Sequence, residues 1–121
     1  MASASETPQA HQDFVARYPG LAQAWELIAQ ASRQGPLDEK TVRLLKLATA
    51  IGAMREGSVH ASVRKALALG IPRAEIEQVV AIAASALGLP AVVAVYTWVQ
   101  DELTGAKKAG EHAGQPAPAL R

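Results

Sequence analysis

Glu56 and His60 lie four residues apart in the segment REGSVHASVRKALALG, residues 55–70. On an α-helix this spacing places a carboxylate one turn from an imidazole. The carboxylate can accept the imidazole N–H, hold its tautomer and prepare the ring for general acid or base catalysis. The same pair also stabilises ordinary helices by about 0.2–0.5 kcal/mol. The spacing alone therefore leaves a catalytic and a structural interpretation open.

Three further side chains extend the polar edge of this helix or flank it. Arg64 lies one turn beyond His60, so an acid, an imidazole and a cation follow one another along the helix. Ser58 and Ser62 lie on the opposite flank, away from His60, which argues against a serine nucleophile activated by this histidine. His11 and His112 lie near or within the polar ends of the chain, where we expect both to be solvated.

A metal site is a weaker alternative for the same pair. Glu56 and His60 supply two ligands where a stable site needs three or four. No second cluster of ligands is visible in the sequence, so no metal is predicted for a single chain. Copies of the chain related by symmetry could bring the pair together with its equivalents.

The helix that carries these residues is predicted from about Glu56 to Leu69, and Gly70 is suited to the position just past its end. Its apolar face consists of Val59, Val63, Ala66 and Leu67. Glu56 and His60 then lie at the margin of the core.

Proline, glycine and capping residues divide the rest of the chain into helices. The first predicted helix runs from Pro8 to Val15, with Thr7 as its cap and Pro19 and Gly20 as its stop, and the second from Leu21 to about Arg33. The third is capped by Asp38 and runs through Ile51. After the helix that carries Glu56 and His60, two more are predicted, Pro72 to Leu87 and Pro90 to Leu103, the last with Gly105 as its stop. No segment alternates with a period of two, so the fold class is all-α, a bundle of five to six helices. One domain is expected over residues 7–104, between flexible tails at residues 1–6 and 105–121.

Composition excludes several classes of function. The sequence contains no cysteine, which excludes disulfides, thiolate metal sites and thiol catalysis. The formal net charge is +1, so no nucleic-acid partner is indicated. The N-terminal residues lack the pattern of a secretory signal, and residues 78–100 favour two packed helices over a membrane span. We therefore expect a cytoplasmic protein without a membrane partner.

The wide apolar stripes of the predicted helices indicate self-association. Roughly 100 ordered residues in short helices cannot cover such stripes within one chain. Trp25, Tyr96 and Trp98 fit the core or an interface better than a ligand pocket, although Trp98 lies off the main stripe of its helix and suits an interface or a pocket wall. A homo-oligomer is expected.

Residues 37–103 resemble the carboxymuconolactone decarboxylase family, which includes the alkylhydroperoxidase D-like proteins. The resemblance lies in the order of the elements: a helix, the motif ALG, an acid-bearing helix and the motif ALGLPAVV. The resemblance implies an all-helical fold whose subunits form trimers or hexamers. It covers a little over half of the chain and is strongest in these motifs.

The active residues of that family do not carry over. The peroxidase branch has a glutamate, two cysteines and a histidine at the positions that correspond here to Arg43, Arg55, Ser58 and Ser62, so thiol-dependent peroxide reduction is excluded. In the decarboxylase branch, Arg64 matches an arginine, whereas the family histidine corresponds to Ser62 and not to His60. The pattern REGxVHxxVRxAL is similar to a less characterised branch.

Three functions remain open. The first is a cofactor-independent enzyme, a lyase or isomerase, acting on a small carboxylate, lactone or dicarbonyl, with His60 as acid or base and Glu56 as its orienter. Arg64 or Arg43 would bind the substrate carboxylate, with Ser62 and Trp98 beside it. The second is a non-catalytic oligomer that binds a small molecule or a partner protein, and the third is metal binding by Glu56 and His60.

Overall fold

The structure, a computed structural model, describes the backbone of residues 9–114 and the side chains of residues 9–105. Six helices span the described chain: α1 (Gln9–Arg17), α2 (Pro19–Ser32), α3 (Glu39–Gly52), α4 (Glu56–Ala68), α5 (Arg73–Leu87) and α6 (Leu89–Gly114). No strand occurs within residues 9–114, so the predicted all-α fold class is confirmed.

A capping side chain and two glycines set three of the helix ends, and the sequence indicates two of these, Asp38 and Gly70. The Asp38 side chain accepts the Thr41 backbone N–H at 2.8 Å and caps α3. Gly70 follows α4 with φ of +86°, and Gly88 follows α5 with φ of +83°. Glycine adopts this left-handed conformation without the steric cost that a Cβ imposes, so the chain can turn sharply at both positions.

The core lies among the last four helices. α3 packs against α4 and α5, and α6 packs against the same two helices, which closes a four-helix ring. The buried apolar side chains are Leu47, Ala50, Ile51, Val59, Val63, Ala66, Ile71, Ile76, Val80, Val92, Val95, Val99 and Leu103. Small and aliphatic side chains fill this core because they allow the helices to approach closely.

The orientation of α4 follows from its apolar face. Val59, Val63 and Ala66 are fully buried, and Leu67 packs partly buried against them, as the sequence predicts. With this face turned to the core, the two polar flanks of α4 are directed to different neighbours. One flank contacts α6, and the other faces α2 and α3.

Helices α1 and α2 pack against each other and contribute no buried residue. Pro19 and Gly20 do not lie in a break between the two helices, because α2 begins at Pro19, a position where proline suits a first helical turn. Several large apolar side chains of this pair are exposed: Phe14, Tyr18, Leu21, Trp25, Leu27 and Ile28. A sizeable apolar surface therefore remains on this side of the chain.

Helix α6 continues past the expected stop at Gly105 and ends at Gly114. The backbone at Gly105 does not adopt a positive φ, and a Cβ there would meet no neighbour among the described residues. A glycine in a helix interior costs about 1 kcal/mol but does not end the helix, and no proline occurs between Pro90 and Pro116. The expected tail at residues 1–6 and the last seven residues of the other tail, 115–121, lie outside the described residues.

The charge-free segment 78–100 is divided at Gly88 between α5 and α6. Among the helices of the described residues, none has both the length and the apolar character that a membrane crossing requires.

Candidate functional site

The predicted pair Glu56 and His60 is present on α4, but its contact is long and exposed. His60 Nε2 lies 3.4 Å from Glu56 Oε2. The Glu56 side chain is 60% exposed, whereas that of His60 is 19% exposed. An exposed contact of this kind contributes little to stability.

A second carboxylate, Glu102 of α6, makes the shorter contact with the same ring. His60 Nδ1 lies 2.6 Å from Glu102 Oε2, and Arg64 donates from Nη1 to the same oxygen at 3.1 Å. We call Glu56, His60, Arg64 and Glu102 the Glu102 cluster. Sequence reasoning missed Glu102, although its position beside buried Leu103 and three residues after buried Val99 places it at the margin of the α6 stripe.

The geometry limits what His60 can do in this conformation. An ionised carboxylate only accepts hydrogen bonds, so His60 makes both contacts at once only with both ring nitrogens protonated. An imidazolium in that state has no free nitrogen to accept a proton. Acid or base chemistry would require exposed Glu56 to move away from Nε2, whereas the contact with Glu102 links α4 to α6.

The other flank of α4 borders a cavity of about 400 Å³ between α2, α3 and α4, which we call the basic cavity. Its lining residues are Trp25, Ile28, Ala29, Ser32, Arg43, Lys46, Thr49, Ala50, Ala53, Arg55, Ser58, Ala61, Ser62 and Lys65. An adjoining cavity of about 300 Å³ shares Arg43, Lys46 and Lys65 with it and adds Arg33 and Glu39. Ser58, Ser62 and Lys65 face the basic cavity because they are three or four residues apart on one side of α4.

Four cations and no acidic side chain line the basic cavity: Arg43, Lys46, Arg55 and Lys65. Within the described residues, none of the four forms an ion pair. Like charges that share a concave, partly apolar space raise its positive potential, which attracts anions. The cavity is therefore electrostatically suited to a negatively charged ligand.

Burial and mutual repulsion act on these cations. Burial lowers the pKa of Arg43. Burial and then the charge of Arg43 lower the pKa of both Lys46 and Lys65. The Nε atom of Arg43 is buried and has no hydrogen-bond partner. An unpaired buried donor is costly, so this nitrogen destabilises the position of Arg43.

The structure separates the predicted site residues into three places. Arg43 and Ser62 line the basic cavity, together with Arg55 and Ser58. Glu56, His60 and Arg64 lie on the other flank of α4 and are not among its lining residues. Within one chain, His60 and Arg43 therefore do not face a common ligand space.

Trp98 lies in a third place, partly buried against the core, and lines neither of the two cavities. Its predicted role in substrate binding is not supported by a position at either of them. Sequence reasoning also missed Lys46 and Lys65. The spacing of Arg43 and Lys46, one turn apart on α3, is a local signal for a shared cationic face, but nothing local indicates that Lys65 lies opposite them.

Potential metal ligands are sparse. Among the described residues, no group of three or more histidine, cysteine, aspartate or glutamate side chains is arranged to hold a metal ion. His11 is exposed on α1, and the side chain of His112 lies outside the described residues.

A match to a protein family agrees with the all-helical fold. A family model described as the carboxymuconolactone decarboxylase family matches residues 19–101, which include α2 to α5, both cavities and most of the ordered core. Comparison with curated proteins and with solved structures gave no match. Because the matched region covers more than half of the chain, this protein belongs to the carboxymuconolactone decarboxylase family.

Proposed function

We propose that this chain binds a small organic carboxylate in the basic cavity. The observation that carries the proposal is a cavity lined by four cations and no acid, in which none of the four forms an ion pair within the described residues. An arginine fork binds a carboxylate through two parallel hydrogen bonds, and such charge-assisted bonds are about twice as strong as neutral ones. A carboxylate beside Arg43 would therefore supply the missing negative charge.

The shape and lining of the cavity favour an organic anion over an inorganic one. Its volume of about 400 Å³ falls within the usual range for small-molecule pockets. Trp25 and Ile28 form an apolar wall opposite the cations of α3 and α4. A ligand with a carboxylate at one end and a hydrocarbon part at the other suits both surfaces.

The family supports the same class of ligand. Its name denotes a lactone that carries a carboxylate. The basic cavity is also lined by Arg43, Arg55, Ser58 and Ser62, the four positions that the sequence resemblance matches to catalytic residues of the peroxidase branch. In this chain those positions hold two cations and two hydroxyls. They suit the binding of an anion, and they supply neither a thiol nor a carboxylate base.

Isothermal titration with glutarate, benzoate and muconolactone tests the proposal. We expect at least one of the three to bind saturably to the full chain at constant ionic strength. Arg43→Gln should weaken that binding at least tenfold, about 1.4 kcal/mol. Arg17→Gln is the matched control, because Arg17 is an exposed cation of α1 that lines neither cavity. Equal effects of the two substitutions would contradict specific binding.

A second candidate function is a cofactor-independent acid/base reaction at His60, of the lyase or isomerase type. The short contact between His60 and Glu102 favours it, because a carboxylate that holds one ring nitrogen orients the other. Turnover of a panel of carboxylated lactones and dicarbonyls by wild type and by His60→Ala tests this role. If the two proteins turn over a responsive substrate equally, His60 has no catalytic part.

We also propose that the chain self-associates, as a trimer or a hexamer, through the exposed face of α2. Trp25, Leu27 and Ile28 are each about 60% exposed, and α2 has no buried residue. Such an apolar surface is typical of subunit interfaces. Light scattering after size exclusion should give a trimeric or hexameric mass for wild type and a smaller mass for Leu27→Glu. Gln30→Glu adds the same charge at an exposed polar position of α2 and should leave the mass unchanged.

A further inference from the structure

Lys46 occupies a distinctive position in the basic cavity. It follows Arg43 by one helical turn on α3, so both side chains extend from the same face. Both residues also line the adjoining cavity, which places them where the two spaces meet. Lys65 approaches this point from the facing helix, α4.

The surroundings of Lys46 lower its pKa below that of a free lysine. Burial is the largest cause of its lowered pKa, followed by the positive charges of Arg43, Lys65 and Arg33. Glu39 lines the adjoining cavity but makes no ion pair with Lys46. A lysine that is desolvated and surrounded by other cations loses its proton more readily, and its neutral amine is a nucleophile toward carbonyl groups.

We propose that Lys46 is a nucleophile that forms an imine with the carbonyl of a small 3-oxo acid, while Arg43 binds the carboxylate of the same molecule. This proposal rests on the carboxylate site proposed above and names its substrate class. The carboxylate and the carbonyl of a 3-oxo acid are separated by one methylene. Side chains one turn apart, with Cβ atoms about 5–6 Å from each other, can converge on two such groups.

The covalent step balances without a further reactant. The amine nitrogen attacks the carbonyl carbon, a C–N bond forms, and the carbonyl oxygen leaves as water with the two hydrogens of the amine. The resulting imine, once protonated, accepts the electron pair of the bond to the carboxylate, so carbon dioxide leaves and an enamine forms. Protonation of the enamine and hydrolysis of the imine return the amine and release a ketone. The net reaction consumes one 3-oxo acid anion and one proton and yields one ketone and carbon dioxide.

Reduction with sodium borohydride tests the imine directly. Full-length protein is incubated with acetoacetate, reduced, and analysed by intact mass and peptide mapping. We expect one stable adduct per chain, located on Lys46. Lys46→Arg keeps the positive charge but supplies no amine, so this variant should show no adduct. Lys40→Arg is the control, because Lys40 forms an ion pair with Glu75 at 2.6 Å and should not react.

Several results would overturn the imine. They are an adduct spread over many lysines, an adduct on a lysine other than Lys46, and an equal yield in Lys46→Arg. If Lys46→Arg does not fold, the peptide map of the wild-type protein decides alone. Glutarate binding, measured in parallel, separates the two proposals because glutarate has carboxylates and no ketone. Glutarate that binds without any acetoacetate adduct refutes the imine and supports the carboxylate site, whereas an absence of carboxylate binding refutes the site itself.

Discussion

His60 Nδ1 and Glu102 Oε2 lie 2.6 Å apart and join α4 to α6 across 42 positions of sequence. The same oxygen accepts a hydrogen bond from Arg64. Glu102 is thus the shared partner of two cation-forming side chains of α4, and its own side chain is only 20% exposed. In contrast, Glu56, the partner that local spacing predicts, lies at the exposed edge of the same cluster.

Glu102→Gln should destabilise the fold, because it removes the negative charge of the side chain that accepts hydrogen bonds from both His60 and Arg64. We expect a loss of about 1–3 kcal/mol in the free energy of unfolding, the range for a partly buried, charge-assisted contact. Urea denaturation monitored by circular dichroism measures it. Glu56→Gln makes the same substitution at an exposed carboxylate and should cost less than about 0.5 kcal/mol. Equal losses would show that Glu102 has no special role.

Ser62→Val should weaken carboxylate binding without unfolding the protein. Ser62 is a buried polar residue that lines the basic cavity, and valine adds volume there while keeping an apolar contact with the core. We expect at least a tenfold weaker affinity for the carboxylate, about 1.4 kcal/mol. Ser85→Val, at an exposed position of α5, is the control for replacing serine with valine in a helix. Unchanged affinity in Ser62→Val would place the ligand elsewhere.

Stability should rise with pH in the alkaline range because of Lys46 and Lys65. Burial and neighbouring cations lower the pKa of both lysines below 10.5, so the folded chain releases these protons before the unfolded chain does. The unfolded state therefore binds more protons between the lowered pKa values and 10.5, and the free energy of unfolding increases with pH in that window. At pH values below this window, the folded protein carries the full destabilisation that comes from keeping Lys46 and Lys65 charged.

Urea denaturation at several pH values from about 7 to 10 measures this dependence. The groups that lower the pKa of Lys46 are Arg43, Lys65 and Arg33, and Arg43 and Arg64 act on Lys65. Lys46→Met removes one of the two lysines and should flatten the rise. Lys40→Met removes an ion-paired lysine and should leave the rise in place. A fall in stability over the same range would contradict the lowered pKa values.

Gly105→Ala should stabilise the protein by about 0.5–1 kcal/mol, because alanine is the better helix former in a helix interior. A Cβ at Gly105 meets no neighbour, and the backbone there does not have a positive φ. Gly70→Ala is the opposite case, since its φ of +86° strains any residue with a Cβ. Thermal melts of both variants should shift in opposite directions. A lower melting temperature for Gly105→Ala would indicate that α6 ends at this glycine.

The predictions from sequence succeed where the cause is local. The Asp38 cap, the glycine just past α4, and the buried face of α4 each depend on residues within one or two turns. The stop at Gly105 failed because a glycine ends a helix only when the following chain favours a turn. The absence of cysteine excludes thiol chemistry whatever structure the chain adopts.

The candidate site depends on which helix faces meet. By itself, the sequence determined the six helices, the apolar stripe of α4 and the acid and imidazole one turn apart, because backbone hydrogen bonds and side-chain period act within a few residues. The packing of α6 against α4 decided that Glu102 is the closer partner of His60. The packing of α3 against the other flank of α4 decided that Arg43, Lys46 and Lys65 share a cavity from which His60 is separated. These contacts join residues that are distant in sequence, so no local pattern specifies them.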